Sequence, residues 1–310
     1  MKKALVVGAS GGIGYALVQE LVSKGVKVVA FARGENKLKN LFQKTTGVTI
    51  YPGDALELSD VMNASKDVDV IFHAVSFPYP EWSRTHIPCM DNLIHVGEVK
   101  QLKIVLADNI YAYGKQKNRV TETAVKMPHT NKGCIRLEME RKLKNSSVHH
   151  LIAHLPDLYG PNANNTLLYE TLKNVVENKK TNYIGDPCLQ REFIYTKDAA
   201  KAVVNLSLQE DTYDQNWNIP AARPISGEEV VKIIREITGY KKSVRIVKKN
   251  MIRFMSIFSP FMKELIEMMY LTEEPVILSG EKYEQKFTSV PRTPYKIGLE
   301  ETLSWIENKA

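Results

Sequence analysis

The sequence predicts an α/β protein: a doubly wound parallel sheet, followed by a smaller α/β unit formed mainly by the second half. Three observations lead there. Residues 4–17, Ala-Leu-Val-Val-Gly-Ala-Ser-Gly-Gly-Ile-Gly-Tyr-Ala-Leu, pass from a short apolar run through a glycine cluster into an amphipathic pattern, which reads as strand, tight turn and helix. Apolar runs of strand length recur at 26–32, 48–51, 68–74 and 102–107, and helical stretches near 35–43, 57–64 and 84–99 separate them. Such alternation implies right-handed crossovers and parallel pairing, with ligands bound beyond the carboxyl ends of the strands.

The first turn sets the chemistry. Gly8 permits the tight turn, Gly11 lets backbone N–H groups approach a pyrophosphate at the positive end of the helix, and Gly14 lets helix and strand pack closely. The ligand this implies is a dinucleotide, with Gly8, Ser10, Gly11, Gly12, Ile13 and Gly14 as its phosphate-binding positions. The second strand ends at Arg33. In a dinucleotide fold the residue closing that strand meets the adenosine ribose, where an acid would bind the 2′-hydroxyl and an arginine accommodates a 2′-phosphate. No Asp or Glu stands at Phe31 or Ala32, and Lys37 follows one helical turn later, so NADP(H) is favoured over NAD(H). His73, at the end of the fourth strand, reads as a hydrogen-bonded packing residue.

Composition bounds the remaining classes. The 310 residues, 44% hydrophobic, suffice for one large core or two modest ones. Met1-Lys2-Lys3 leads directly into the first strand without signal-peptide character, and no apolar run reaches spanning length, so a cytoplasmic protein without a membrane partner is expected. Cys89, Cys134 and Cys188 are far apart and lack metal-ligand spacing; they read as packing residues of a reducing compartment. The net charge of +7 is scattered, except for a basic stretch from Lys241 to Arg253, and no nucleic-acid motif accompanies it. A small anionic cofactor or substrate accounts for it.

Further along stand Asp54 after the third strand, Val70-Ile71-Phe72-His73-Ala74, Tyr113-Gly114 after the fifth, and Leu155-Pro156-Asp157-Leu158-Tyr159-Gly160-Pro161. Arg191-Glu192-Phe193-Ile194-Tyr195-Thr196-Lys197-Asp198-Ala199-Ala200 and Trp217-Asn218-Ile219-Pro220 follow. With the glycine turn, these segments resemble the extended short-chain dehydrogenase/reductase superfamily, which includes the NAD-dependent epimerase/dehydratase family, in order and over three quarters of the chain. The resemblance implies an N-terminal Rossmann domain, residues 1–165 with returning segments near 190–220, and a substrate-binding domain mainly within 166–310. It also implies that Asp54 and Ala55 approach the adenine, Ala74 and Val75 the cofactor backbone, and Pro156 and Leu158 the nicotinamide end.

One part of the pattern is missing. The superfamily uses a Tyr-x-x-x-Lys on the helix after the fifth strand, because hydride exchange with a carbonyl needs a group that gives or takes the oxygen's proton. A tyrosine does so near neutrality only beside a cation, and the spacing puts both on one helical face. Here Lys132 aligns with the tyrosine and Arg136 with the lysine, and the usual Ser or Thr is Asn109, which can hydrogen-bond a carbonyl but cannot shuttle a proton. Lys132 has two readings. Beside Arg136 its pKa would be lowered, making it a proton donor; alternatively it holds a ribose hydroxyl or phosphate as a plain cation. Tyr111 is placed by its position near the nicotinamide end, and the Tyr111/Lys115, Tyr113/Lys117 and Tyr169/Lys173 spacings read as coincidences.

In the second half, 148–154 is a strand whose three histidines lack neighbouring acidic or thiol ligands, so no metal site is expected. Residues 191–200 are a strand entering a helix, with Arg191 a candidate for an anionic substrate group or a surface ion pair. Ser226 caps a helix ending at Gly239. The Met- and Phe-rich block 251–271 should form two amphipathic helices broken at Pro260, packing the small domain or forming a lid or dimer face. A loop and a docking helix end the chain. The leading functional reading is an atypical NADP(H)-dependent oxidoreductase of a small carbonyl or alcohol, with Lys132, Tyr111 and Asn109 at the chemistry and a homodimer as one form of assembly. The alternatives are a noncatalytic NADP(H)-binding sensor and a sugar-nucleotide epimerase or dehydratase.

Overall fold

The computed structural model describes residues 1–309. The first half alternates strand and helix: β1 (Lys3–Val7), α1 (Gly12–Ser23), β2 (Lys27–Ala32), α2 (Glu35–Phe42), β3 (Val48–Pro52), α3 (Leu58–Ala64), β4 (Val70–His73), α4 (Trp82–Lys100), β5 (Lys103–Asn109), α5 (Asn131–Lys144) and β6 (His150–Leu155). The second half is more broken: β7 (Asp157–Tyr159), α6 (Leu167–Val176), β8 (Thr181–Ile184), β9 (Gln190–Arg191), β10 (Phe193–Tyr195), α7 (Thr196–Ser207), β11 (Gln215–Asn218), β12 (Ile225–Ser226), α8 (Gly227–Thr238) and β13 (Val244–Val247). It closes with α9 (Lys249–Met255), α10 (Pro260–Ile266), α11 (Glu281–Lys286) and α12 (Tyr295–Glu307).

Seven strands form one parallel sheet in the order β3-β2-β1-β4-β5-β6-β11. Side chains alternate between its faces, as strand geometry requires. Ala4, Val6, Val28, Ala30, Val70 and Phe72 enter the core under α1, α2 and α7, while Leu5, Val7, Val29, Phe31 and Ile71 enter the opposite core under α3, α4 and α5. Both faces are covered, which is why these strands read as continuous apolar runs.

A third core, with Tyr159, Leu172, Tyr183, Phe193, Ile234 and Leu303 among its members, belongs to the smaller unit built from α6, α8, α12 and the short strands around them. Strand β5 is longer than its apolar run. Asp108 and Asn109 continue the pairing opposite His154 and Leu155, so two polar residues are carried into the sheet's carboxyl edge.

The block 251–271 divides at Pro260, which occupies the first turn of α10 behind a Ser259 cap, followed by a 3-10 turn over Glu267–Thr272. Its inward residues are core: Ile252, Leu265 and Met269 pack with Val247, and Met268 and Leu271 pack with Ile110 and Tyr113. Its outward residues are exposed. The cysteines also divide. Cys89 is buried as a packing residue, but Cys134 and Cys188 are exposed, a correction to the packing role expected of all three.

Candidate active site

The dinucleotide turn is built as its glycines require. Gly8 has φ +90°, and a Cβ there would lie 2.6 Å from the Ala74 carbonyl oxygen and 2.8 Å from the Val75 nitrogen. The turn thus nests against Ala74 and Val75 at the end of β4. A Cβ on Gly14 would collide with the Gly8 carbonyl, and one on Gly12 would lie 2.7 Å from the Ala163 backbone. At Gly11, by contrast, the only close neighbour is the Gly8 carbonyl at 3.4 Å. Gly11 caps α1 without a side-chain hydrogen bond, and the first turn of α1 carries no acid, so the helix's positive end is uncompensated. Asn162 Nδ2 donates to the Ser10 and Gly11 carbonyls at 3.1 and 3.3 Å, which braces the loop from β7's side. This cradle fits a pyrophosphate lying over Ser10 to Ile13.

Around it, Arg33 and Lys37 are exposed at the carboxyl end of β2 and the first turn of α2, with the Arg33 guanidinium 6.0 Å from the Phe77 ring centre. Asp54 accepts from the Leu56 N–H at 3.0 Å, and Ala55 is buried with its carbonyl held by Asn92. Pro156 is buried and Leu158 half-buried.

At the far end of the crevice the expected partners are rearranged. Thr130 caps α5 by accepting from Gly133 N–H at 3.1 Å, so α5 begins where the Tyr-x-x-x-Lys helix should. Lys132 is nevertheless buried, 1% exposed, and its Nζ lies 2.5 Å from Glu264 and 2.6 Å from Glu267. It also sits 4.9 Å from the Tyr79 ring centre.

Arg136 turns the other way, to Asp108 at 3.3 Å and the Trp82 ring at 4.7 Å. Each of the two cations is thus met by carboxylates. Acids supplied from beyond position 260 have taken over Lys132, and an acid extending β5 has taken Arg136.

Beside these cations lies a pair of phenols whose hydroxyls, among the described residues, hydrogen-bond to neither of them. Tyr111, in the 3-10 turn after β5, places its hydroxyl 2.9 Å from that of Tyr79, and its ring stacks against Trp82. Burial pushes the Tyr79 phenol up to about 12 and the Tyr111 phenol well above its ordinary value. The charge of Asp157 acts on both in the same direction, as it does on Tyr270. Asn109 accepts from Tyr111 N–H at 2.9 Å through its side-chain oxygen, and among the described residues its amide nitrogen has no protein acceptor. Arg191 is buried and pairs with Asp157 at 2.6 Å, inside the crevice rather than on the surface. The Tyr79, Glu264 and Glu267 contributions carry no motif that sequence reasoning could have used, and Asp157 stood within a quoted segment without being singled out.

Behind the phenols lies a second buried polar group. Asp108, Glu140 and His154 approach closely enough to hold a metal ion, so the acids missing near His154 in the sequence come from β5 and α5. Three cations already serve them: Lys126 pairs with Glu140 and reaches His154 at 2.8 Å, Lys144 meets Glu140 at 3.4 Å, and Arg136 holds Asp108. His73 is buried, accepts weakly from the Val75 N–H at 3.4 Å and is held neutral, its pKa pushed down to about 3 first by burial and then by Arg136.

The model of the NAD-dependent epimerase/dehydratase family matches residues 4–219, from β1 through the last strand of the sheet. The chain belongs to that family. An uncharacterised UDP-glucose epimerase of Bacillus subtilis, YtcB, is 24% identical over 272 residues, spanning 80% of this chain and 85% of the relative. Among solved structures, the UDP-glucuronic acid 4-epimerase of Bacillus cereus in complex with NAD superposes with a TM-score of 0.81, at 20% identity and 99% coverage of both chains. The dTDP-glucose 4,6-dehydratase of Bacillus anthracis gives 0.82, at 19% identity, with 99% of this chain and 97% of that one covered. Family membership and the glycine cradle together support a nicotinamide dinucleotide cofactor. Lys132, which the sequence reading set against the family's tyrosine, is held in two ion pairs.

Proposed function

We propose that this chain is an NADP(H)-dependent oxidoreductase that reduces the carbonyl of a nucleotide-linked sugar. The observation that carries this reading is the Tyr111–Tyr79 hydroxyl pair, 2.9 Å apart, at the carboxyl end of the sheet beyond β5. Cofactor bound along the glycine turn would supply hydride at this end of the crevice. Two neutral phenols share one hydrogen bond, so one O–H remains to donate to a substrate oxygen. Their raised pKa values suit donating a proton better than abstracting one, which favours the reducing direction. The Asn109 amide orients the same oxygen. Arg33 and Lys37 face the 2′-phosphate of NADP(H), and the nucleotide-sugar class comes from the relatives' own substrates.

The test uses NADPH deuterated at its transferable position, offered with a panel of nucleotide-linked keto sugars and followed by mass spectrometry. Label should enter a sugar product, and Tyr111→Phe should lower turnover by roughly a hundredfold while NADPH affinity stays the same. The lock on Lys132 favours a second reading, a noncatalytic cofactor-binding protein. Saturable NADPH binding with no label transfer to any sugar would overturn the first reading in favour of that one.

A further inference from the structure

The exposed apolar surface of the chain is concentrated in one place. Phe254, Met255, Ile257, Phe258 and Phe261, five of the eleven exposed large hydrophobic side chains among the described residues, fall within one eight-residue stretch, and Ile257 and Phe258 are 71% and 79% exposed. They form a tip where α9 turns into α10. The tip is anchored from behind, because Ile252 and Leu265 on the same two helices are buried against Val247 and Met269.

Charge follows the same geography. Residues 241–263 hold seven Lys and Arg and no Asp or Glu, which equals the formal net charge of +7 for the whole chain; the rest of the sequence is balanced. Lys241, Arg245, Lys248, Arg253 and Lys263 are all exposed, and among the described residues none has an acidic partner within ion-pair distance.

We propose that this tip docks the protein onto the surface of an anionic phospholipid bilayer. Phe254, Ile257 and Phe258 enter the boundary between headgroups and acyl chains, and the surrounding cations meet lipid phosphates. The combination selects this occupant. A second copy docked tip to tip would bring two wholly basic segments face to face. A nucleic acid would satisfy the cations but has no hydrocarbon layer to receive Ile257 and Phe258. Among the described residues no helix is long and apolar enough to cross a membrane, and α9 and α10 have seven residues each, so the contact is peripheral.

Flotation of the full chain with phosphatidylcholine vesicles, with and without phosphatidylglycerol, tests the proposal. Binding to the anionic vesicles should exceed that to neutral ones by roughly tenfold or more and fall with added salt. The Phe254→Asp/Ile257→Asp/Phe258→Asp variant should lose it with its thermal unfolding unchanged. Lys248→Gln/Arg253→Gln, which keeps the apolar tip, should weaken it too, and remains informative if the first variant fails to fold. No flotation with anionic vesicles overturns the proposal, as does flotation that neither variant reduces. A dimer seen by ultracentrifugation that the tip variant dissolves, without vesicle binding, would make the tip an interface between copies. Retention on duplex DNA without vesicle binding would make it a nucleic-acid surface.

Discussion

Arg33 is a residue whose place in the fold was legible from the sequence, and its proposed role is open to a direct test. It follows directly on β2, no acid stands at Phe31 or Ala32, and the structure leaves both it and Lys37 exposed. If the pair meets a 2′-phosphate, Arg33→Ala removes a charge-assisted hydrogen bond worth about 1.5–3 kcal/mol, which is roughly tenfold to a hundredfold in affinity. That loss should appear for NADPH and be nearly absent for NADH, which calorimetric titration of both cofactors can measure. Equal loss for the two would make Arg33 a general electrostatic contact. Lys132 shows the opposite limit. The sequence reading set it against the family's tyrosine, but its partners lie more than 130 positions away in a segment without a recognisable motif. Spacing along one helix pointed to Arg136, whereas the fold supplies each cation with a carboxylate from elsewhere. Such long-range charge pairing leaves no periodic trace, so the carboxylates that meet Lys132 could not be read from the sequence.

Among elements, those with a strong local signal were the ones the sequence could place. The β1–turn–α1 unit, the run of parallel strands and the break at Pro260 each depend on residues adjacent in sequence: apolar runs buried on both faces, glycines at a turn, a proline without an N–H. The carboxyl end of β5 was cut short because Asp108 and Asn109 look like loop residues, and only pairing with β6 draws them into the sheet. The turn itself can be tested for rigidity. At Gly14 an added methyl meets backbone, the carbonyl of Gly8, rather than a side chain that could rotate away. Gly14→Ala should therefore push α1 off β1 and cost about 1–3 kcal/mol, as overpacking does, despite the better helix propensity of alanine. Chemical denaturation should report the stability loss, and weakened cofactor binding should accompany it. The same substitution at Gly25, which has nothing near it but φ +77°, would act only through backbone strain.

The whole molecule closes on itself at the candidate active site. Segments from the two halves of the chain meet there: Phe261 stacks on Tyr79 at 5.7 Å, and Glu264 and Glu267 converge on Lys132. Glu267 also accepts from the Asn131 and Lys132 N–H groups at 2.9 and 3.4 Å, so its carboxylate sits on the positive end of α5. The three charges are unequally placed. The Lys132 side chain is 2% exposed, whereas those of Glu264 and Glu267 are 36% and 23% exposed. Removing the cation leaves acids that water and the helix end can still solvate; removing both acids strands an ammonium in the interior. Glu264→Gln/Glu267→Gln should therefore cost about 3–5 kcal/mol, and Lys132→Met distinctly less, since a buried charge without a partner is penalised more than its replacement by a hydrophobe of similar size. Urea unfolding of the two variants gives the comparison, and limited proteolysis between residues 248 and 275 should show the double variant opening first. If the two variants lost equal stability, the lock would be a set of independent contacts instead of a closure driven by the buried ammonium.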